Sequence, residues 1–353
     1  MRREPGGRPG FPSCSRSIPA DTGTDYRSLV DPLTLDALEQ QLVHALQIDG
    51  RAPFSRIAAV LGASDRTIAR RYHRLRSTGA LRVVGLPHSR RLGRVDWIVR
   101  LGCVPDAAPA IAATVARRDD TSWVGLTSGG TEITFVTHTD GWHDRGTPLL
   151  QKLPRGPRIT SVTAQCMLRA VAGTSGWPGR TAALTDHQID QLRPPPTGPD
   201  PGVAIELTAP DRLLLAELAK DGRAGYPVLA AATGIPESSA RRRLAELCRS
   251  GVLYFDIETD PLLLGYSTEA ALWLTVAPAE LSAVADALAR HREIAFAAAV
   301  TGPNNMFAFV VCRDADALYD YLATQIGALP GVLQVETAPI MRSAKRAGSL
   351  LIH

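Results

Sequence analysis

The segment LQIDGRAPFSRIAAVLG at residues 46–62 recurs, with changes, as LAKDGRAGYPVLAAATG at residues 218–234. A shift of 172 residues places 35–93 over 207–265 with 18 identities in 59 positions and no gap. The register extends to Gly130 over Gly302, and the similarity ends near CMLR (166–169) and PIMR (339–342), which lie one residue further apart. Chance similarity does not hold one offset over that length. The chain therefore contains one two-part unit twice.

Each copy begins with three short helices. Apolar residues recur at helical spacing at about 34–48, 53–61 and 65–78, and again at 209–220, 226–233 and 237–250. A tight turn after Gly62 separates the second helix from the third, which is typical of a helix-turn-helix whose last helix enters a DNA major groove. We predict helix-turn-helix domains at 33–82 and 205–254.

A β-rich segment follows the helices in each copy. In the second copy its patterns read strand, helix, strand, strand, helix, strand, from TEAALWLTVA (268–277) to GVLQVETAPIMR (331–342). This β-α-β-β-α-β order is typical of ferredoxin-like domains. The first copy follows it, although Gly146 and Pro148 interrupt its second helix. The sequence predicts an α+β fold with ferredoxin-like domains at 90–170 and 262–346.

Two segments lie outside the repeat. Residues 1–32 are rich in Gly, Pro and Ser and lack the apolar run of a secretion signal, so we predict a disordered leader. Residues 171–204 have linker composition around one helix candidate, LTDHQIDQL, with Thr185 or Asp186 as its N-cap. No apolar run approaches the roughly 20 residues of a membrane-spanning helix. We expect a cytoplasmic protein without a membrane partner.

The net charge of +4 is unevenly distributed along the chain. Residues 33–190 carry 20 Lys or Arg against 13 Asp or Glu, whereas residues 200–353 carry 13 against 18. This asymmetry indicates an anionic partner for the first half. The five cysteines are scattered without CxxC spacing, which argues against a zinc ribbon or a disulfide framework. We expect no metal and no cofactor.

The third helix of the first copy, within SDRTIARRYHRLRSTGAL (64–81), separates apolar from basic residues. At about 100° per residue, Tyr72 and Leu75 fall within about 40° of Ile68 and form a core face. The basic side chains lie opposite, where a recognition helix contacts bases and phosphates. The alternative is a solvated helix in an Arg-rich chain. We predict that double-stranded DNA is contacted by Ser64, Arg66, Thr67, Arg70, Arg71, His73 and Arg74.

The counterpart helix of the second copy is less basic on that face. Ser238, Ala245 and Glu246 stand there beside Arg242, and Pro236 replaces the capping Ser64. We expect this helix-turn-helix to fold but to bind DNA weakly, through Arg242, or to act as a spacer.

The combination resembles the Lrp/AsnC family of transcriptional regulators. The matching features are DGR after the first helix, LG before the first strand and the ferredoxin-like domain, over about 33–169 and 205–346. The resemblance implies a sequence-specific, nucleoid-associated DNA-binding regulator. It also implies that the ferredoxin-like domains are effector domains, which pair through their sheets and bind an amino acid or related small molecule. We expect a homo-oligomer or pairing of the two effector domains within one chain.

The segments VTGPNNMFAFVV (300–311) and LPGVLQVET (329–337) are similar to effector-domain motifs of the family. Glycine in the Thr301-Gly302 turn lets a ligand approach the backbone, and Asn304 and Asn305 offer donors and acceptors. We predict effector contacts at these four residues and at Gly130 of the first copy. The alternative is that the asparagines only close a turn.

The family usually has an Asp near this turn. The 172-residue offset places Asn305 there in the second copy and Ile133 in the first. Because no carboxylate is then present to hold an α-ammonium group, we expect a neutral or anionic metabolite rather than a free amino acid.

Catalysis is the alternative function. Decarboxylases of haem biosynthesis resemble the same two-domain unit, and their reaction needs His, Tyr and Arg side chains gathered in a tetrapyrrole cleft. The eight histidines of this chain are scattered, and its sequence has no P-loop, HExxH or nucleophile elbow. We expect no enzymatic activity.

Overall fold

A computed structural model describes residues 34–140, 156–173, 176–177, 179–194 and 205–347. The predicted leader at 1–32, most of the interrupted helix at 140–156 and part of the linker lie outside these residues.

Each copy begins with three helices, as predicted. They are α1 (Ala37–Ile48), α2 (Phe54–Leu61) and α3 (Asp65–Ser77) in the first copy, and α6 (Ala209–Lys220), α7 (Tyr226–Thr233) and α8 (Glu237–Arg249) in the second. A capping box starts α1, where the side chains of Asp36 and Glu39 each accept a backbone N–H of the other. Left-handed Gly62 and Gly234 end α2 and α7, with φ of 65° and 71°.

The two helix-turn-helix domains are joined by an antiparallel pair of strands, β1 (Leu81–Pro87) and β6 (Leu253–Thr259). Val84 pairs with Asp256, its own counterpart in the repeat, so a pseudo-two-fold axis passes through this pair. The DGR arginines obey the same symmetry. Arg51 donates to the Gly222 and Ala224 carbonyls at 2.6 and 3.2 Å, and Arg223 donates to the first copy in return.

The ferredoxin-like order is present in the second copy. It runs β7 (Thr268–Val276), α9 (Leu281–Leu288), β8 (Ile294–Val300), β9 (Met306–Cys312), α10 (Ala315–Asp320) and β10 (Val332–Lys345). The first copy has β2 (Val95–Cys103), α4 (Ala108–Ala116), β3 (Thr121–Thr127), β4 (Glu132–Thr139) and β5 (Ile159–Ala172). The α+β fold class is confirmed.

The long last strand of each effector domain crosses into the other domain. β5 pairs with β2 through Cys166 and then with β8 from Met167 onward. β10 likewise pairs with β7 and then, from Ile340, with β3. The eight strands close in the order β10-β3-β4-β2-β5-β8-β9-β7. The effector domains are therefore paired within one chain.

An apolar cluster lies between the two paired sheets. It contains Ile98 from the first copy and Trp273, Phe307 and Ala298 from the second, each at most 2% exposed. Burial of two aromatic side chains here stabilises the pairing of the two domains.

The linker contains the predicted helix as α5 (Asp186–Leu192), with Thr185 as the N-cap of a capping box. Hydrogen bonds hold this helix and the residue before its cap against the first helix-turn-helix. Arg56 donates to the Gln191 carbonyl at 2.7 Å, Gln188 donates to the Val60 carbonyl at 3.2 Å, and Leu184 N donates to His44 Nδ1 at 3.1 Å. The linker helix thus packs on the first copy, whereas Trp177, earlier in the linker, donates to the Arg292 carbonyl of the second copy at 2.7 Å.

Candidate DNA interface and effector site

Helix α3 has the local geometry that its sequence predicts. The side chain of Ser64 accepts a hydrogen bond from Thr67 N at 3.1 Å and caps the helix. Ile68, Tyr72 and Leu75 are buried with at most 2% exposure, so the predicted core face is confirmed. The opposite face is therefore available to a partner.

Arg66 and Arg70 lie on that exposed face. Among the described residues, neither guanidinium has an ion pair or hydrogen-bond partner, and Thr67 lies beside them, half-buried. With Asp65 as the acidic residue of the first turn, the two guanidinium groups leave this end of the helix with a net positive charge of about +1, and the helix dipole adds to the positive potential.

Arg71 and Arg74 are placed differently. Arg71 forms an ion pair with Asp36 and lies 3.5 Å from a Glu39 carboxylate oxygen, and Arg74 forms an ion pair with the same Glu39. The Glu39 side chain has no exposed surface. These two arginines therefore join α3 to α1, which limits their freedom to contact DNA, and their predicted DNA contacts stay predictions.

His73 belongs to an aromatic cluster at the edge of the domain. Its ring centroid lies 5.7 Å from that of Tyr72 and 6.3 Å from that of Phe54. The guanidinium of Arg223, from the second copy, lies 4.4 Å from the Phe54 ring centroid. His73 is itself exposed, so it remains accessible to a partner.

Helix α8 presents a weaker basic face. No side chain caps it, because Pro236 replaces serine. Arg243 contacts both Asp211 oxygens at 2.6 and 2.8 Å. Burial alone would raise the pKa of Asp211, but the hydrogen bonds from Arg243 and Thr208 outweigh it and lower the pKa. Arg242 is exposed, with Glu246 at 3.9 Å, so its charge is partly offset.

The predicted effector turn of the second copy is filled by the first copy. Gln165, 4% exposed, donates to the Thr301 and Asn304 carbonyls at 3.0 and 2.9 Å. Gly302 adopts a φ of 107°, and a Cβ there would lie 3.1 Å from the Gln165 amide nitrogen. Cys166 N also donates to Thr301 Oγ1. Protein groups thus take the hydrogen bonds that a ligand would need.

The two asparagines of this turn bond within the protein. Asn305 accepts from Val276 N at 2.9 Å and donates to the Val276 carbonyl at 2.8 Å. Asn304 donates to Thr275 Oγ1 at 3.2 Å. This is the alternative in which the asparagines close a turn, and their role in effector binding stays a prediction.

The first-copy turn has a carboxylate, Glu132, at the position of Asn305, which an alignment offset of 172 residues between the copies does not reveal. Strand pairing aligns Ile133 with Leu101 and Met306 with Leu274, which gives an offset of 173 in the effector domains. One extra residue therefore follows Gly265, and the counterpart of Asn305 is Glu132. The expectation that Ile133 stands there is wrong. The counterpart of Gly302 is Gly129, and Gly130 is its neighbour, with a φ of 86°.

Glu132 belongs to a charged cluster that joins both copies. Arg100 lies 2.7 Å from Glu132 and 2.5 Å from Glu336 of the second copy, and Ser128 donates to Glu132 at 2.7 Å. The guanidinium also lies 4.5 Å from the Trp273 ring centroid. Burial alone would lower the pKa of Arg100, but hydrogen bonds to the two carboxylates raise it, so it stays charged.

Sequence reasoning missed Gln165, Arg100 and Glu132. A one-residue insertion hides the equivalence of Glu132, and Gln165 reaches the second copy only because β5 crosses between sheets. Among the described residues, no cluster of His, Cys, Asp and Glu is suited to a metal ion. No helix in the described part of the chain is long and apolar enough to cross a bilayer.

Comparison with known proteins identifies both parts of the unit. A family model described as the AsnC-type helix-turn-helix domain matches residues 35–76 and 207–247, and the Lrp/AsnC ligand binding domain matches 269–350. The chain is similar to the regulator FL11 of Pyrococcus horikoshii, with 30% identity over 42% of this chain and 98% of that protein. It is similar to LrpA of the same organism, with 29% identity over 38% and 96%.

One solved structure shares the fold over most of this chain. Siroheme decarboxylase NirDL matches 88% of this chain and 93% of its own, with a TM-score of 0.57 and 14% identity. Escherichia coli AsnC matches 39% of this chain and 94% of its own, with a TM-score of 0.37 and 23% identity. A part of this chain about as long as one copy of the repeat matches each of these sequence relatives over nearly its whole length. The chain therefore belongs to the Lrp/AsnC family of transcriptional regulators and contains the helix-turn-helix of that family twice.

Proposed function

We propose that the chain regulates transcription at the nucleoid by binding double-stranded DNA chiefly through α3. The observation that carries this proposal is the pair of exposed arginines, Arg66 and Arg70, on the surface opposite a well-packed core face. Ser64 and Thr67, in the same first turn, offer hydroxyl groups to phosphate oxygens. Arg71 and Arg74 hold the helix in place, and Arg242 makes the weaker contact of the second copy.

The domain boundaries predicted above fit this proposal. Helix-turn-helix domains at 33–82 and 205–254 would bind DNA, and effector domains at 90–170 and 262–346 would pair and respond to a ligand. A homo-oligomer of such chains would bind several DNA sites together.

An electrophoretic mobility shift assay at moderate salt tests the DNA contacts. Genomic fragments, including the region upstream of the gene itself, serve as probes. We expect the double substitution Arg66→Ala, Arg70→Ala to weaken binding at least about tenfold, since each base contact contributes about 1–3 kcal/mol. Arg117→Ala is the matched control, because it removes an exposed arginine from the effector domain. Equal binding by both variants would refute the proposed interface.

We further propose that a small-molecule effector binds beside the first-copy turn, at Gly130, Arg100 and Glu132. Two carboxylates face one guanidinium there, so the cluster has a net charge of about −1 and favours a ligand with an ammonium group. The expectation of a ligand without an ammonium group rested on the absence of a carboxylate near the turn, and Glu132 is such a carboxylate. The second-copy turn, filled by Gln165, is the weaker candidate.

Thermal-shift screening of amino acids and the corresponding ammonium-free acids tests this site. We expect stabilisation by an amino acid, which Glu132→Gln weakens and Asn305→Ala leaves in place. Stabilisation by the ammonium-free acids alone would refute the proposed ligand chemistry.

A second candidate function is decarboxylation of a tetrapyrrole, favoured by the fold match to NirDL across both copies. A further structure of that enzyme is titled as a complex with an iron-uroporphyrin III analogue. In this chain His44 accepts from Leu184 N and His291 bonds with Tyr321, so both are engaged in packing. Absorbance titration with iron-uroporphyrin tests the idea: a saturable shift of the Soret band followed by product formation would support it over regulation alone.

A further inference from the structure

The two helix-turn-helix domains form a fixed pair with two-fold backbone symmetry. The pairing of β1 with β6 is symmetric about Val84 and Asp256. Arg223 donates to the Gly50 and Ala52 carbonyls at 2.7 and 3.0 Å and mirrors the contacts of Arg51. Their guanidinium groups are also held over aromatic rings of the opposite copy. Helices α3 and α8 are consequently related by the same axis.

The exposed surfaces of these two helices are not equivalent. At the position of Arg66 in α3, helix α8 has the exposed Ser238, and at the position of His73 it has the exposed Ala245. Glu246 replaces Arg74 and lies 3.9 Å from Arg242. Arg70 and Arg242 are thus the shared exposed pair. The backbone symmetry of a dimer is kept, whereas the symmetry of the contacting side chains is lost.

We propose that this chain recognises a non-palindromic DNA site. The inference rests on the proposed function. In symmetric helix-turn-helix dimers, the palindromic operator mirrors the symmetry of the protein, with half-sites about one helical turn apart. Here one half-site is read by α3 through base contacts. The other lies at the same spacing and is held by α8 through Arg242 and phosphates, with little base preference.

The fixed geometry is what makes the operator asymmetric. Because the second position of the pair is always occupied by α8 of the same chain, a second α3 cannot take that place. Phosphate contacts position a protein on the duplex but carry no sequence information directly. The DNA site should therefore have one half-site with a specific base sequence and one half-site with little sequence preference.

Selection of bound duplexes from a random pool tests this arrangement. The full chain is used with a random window of about 20 base pairs, which accommodates one pair of half-sites. We expect one enriched motif of half-site length without an inverted partner. Enrichment of an inverted repeat with equal information in both halves would overturn the inference while leaving DNA binding intact. Failure to enrich any sequence would overturn the proposed function as well.

The substitution Ser238→Arg gives a second, independent readout. It places at α8 the arginine that α3 carries at Arg66, on an exposed position that the fold does not use. The probes are the selected site and an artificial inverted repeat of its defined half. We expect the variant to bind the inverted repeat about 5- to 150-fold more tightly than the unmodified chain does, the range of one bidentate base contact. An unchanged preference between the two probes would overturn the inference.

Discussion

Arg70 and Arg71 are adjacent in sequence, but Arg71 forms ion pairs that join α3 to α1, whereas Arg70 is exposed on the surface proposed to contact DNA. Arg71→Ala removes an ion pair to Asp36 and one of two guanidinium groups near the fully buried Glu39. Breaking a buried pair completely costs about 3–5 kcal/mol. Because Arg74 still faces Glu39, we expect a smaller loss of about 1–3 kcal/mol in the free energy of unfolding.

Arg70→Ala should leave the free energy of unfolding within about 0.5 kcal/mol of its original value, since the side chain is exposed and without a partner among the described residues. Its effect should fall on DNA instead. A lost base contact would cost about 1–3 kcal/mol of binding free energy and relax the sequence preference. A lost phosphate contact would weaken binding to all sequences and reduce the salt dependence by about one unit of slope.

Denaturant unfolding measures the first effect, and mobility shifts at two salt concentrations measure the second. Both variants are tested for DNA binding at a denaturant-free condition where both are folded. Equal destabilisation of the fold by Arg70→Ala and Arg71→Ala would contradict the different roles of these two side chains. Equal loss of DNA binding in Arg242→Ala, the second-copy counterpart, and in Arg70→Ala would contradict the difference between α3 and α8.

Three further outcomes are expected. Burial lowers the pKa of His44 below 6.5, so the unfolded state binds more protons and the free energy of unfolding should fall as pH drops below about 6.5; a smaller fall in His44→Asn checks the assignment. Gly222→Ala should destabilise the fold by about 1–3 kcal/mol, because its Cβ would lie 2.9 Å from the Val84 carbonyl carbon; an unchanged unfolding midpoint would contradict this. Light scattering should give a molar mass of at least twice the 37.7 kDa of one chain, since Leu168 and Met341 remain exposed on β5 and β10, the strands that cross between the effector domains. A monomeric mass would contradict this.

The features that sequence predicted well are determined by local interactions. The cap at Ser64 and the core face of Ile68, Tyr72 and Leu75 follow from helical periodicity within a dozen residues. The linker helix after Thr185 follows from a capping box in the same way. Such features need no knowledge of distant parts of the chain.

The features that sequence could not supply depend on contacts between the copies. Nothing near Gln165 indicates that it fills a turn 136 residues away. The ion pairs of Arg71 and Arg74 depend on the angle at which α3 crosses α1, so periodicity showed these side chains only as part of a basic face. An alignment offset of 172 instead of 173 residues places Ile133 at the position that Glu132 occupies in the fold. Because side chains in a strand alternate between faces, an error of one residue exchanges a side chain on one face for a side chain on the other.

Covalent joining of the copies permits contacts that a symmetric dimer excludes. In such a dimer, a residue at the two-fold axis meets its own copy. Arg100 and Trp273 are counterparts in the 173-residue register, so two identical subunits would bring arginine against arginine or tryptophan against tryptophan. In this chain the guanidinium stacks on the indole and is paired with Glu336. Val84 opposite Asp256 is a second such pair. Because the residues at the axis differ between the two copies, each copy pairs with the other copy of the chain rather than with an identical one. The two copies can also differ in sequence elsewhere, and this allows α3 and α8 to present different side chains to DNA.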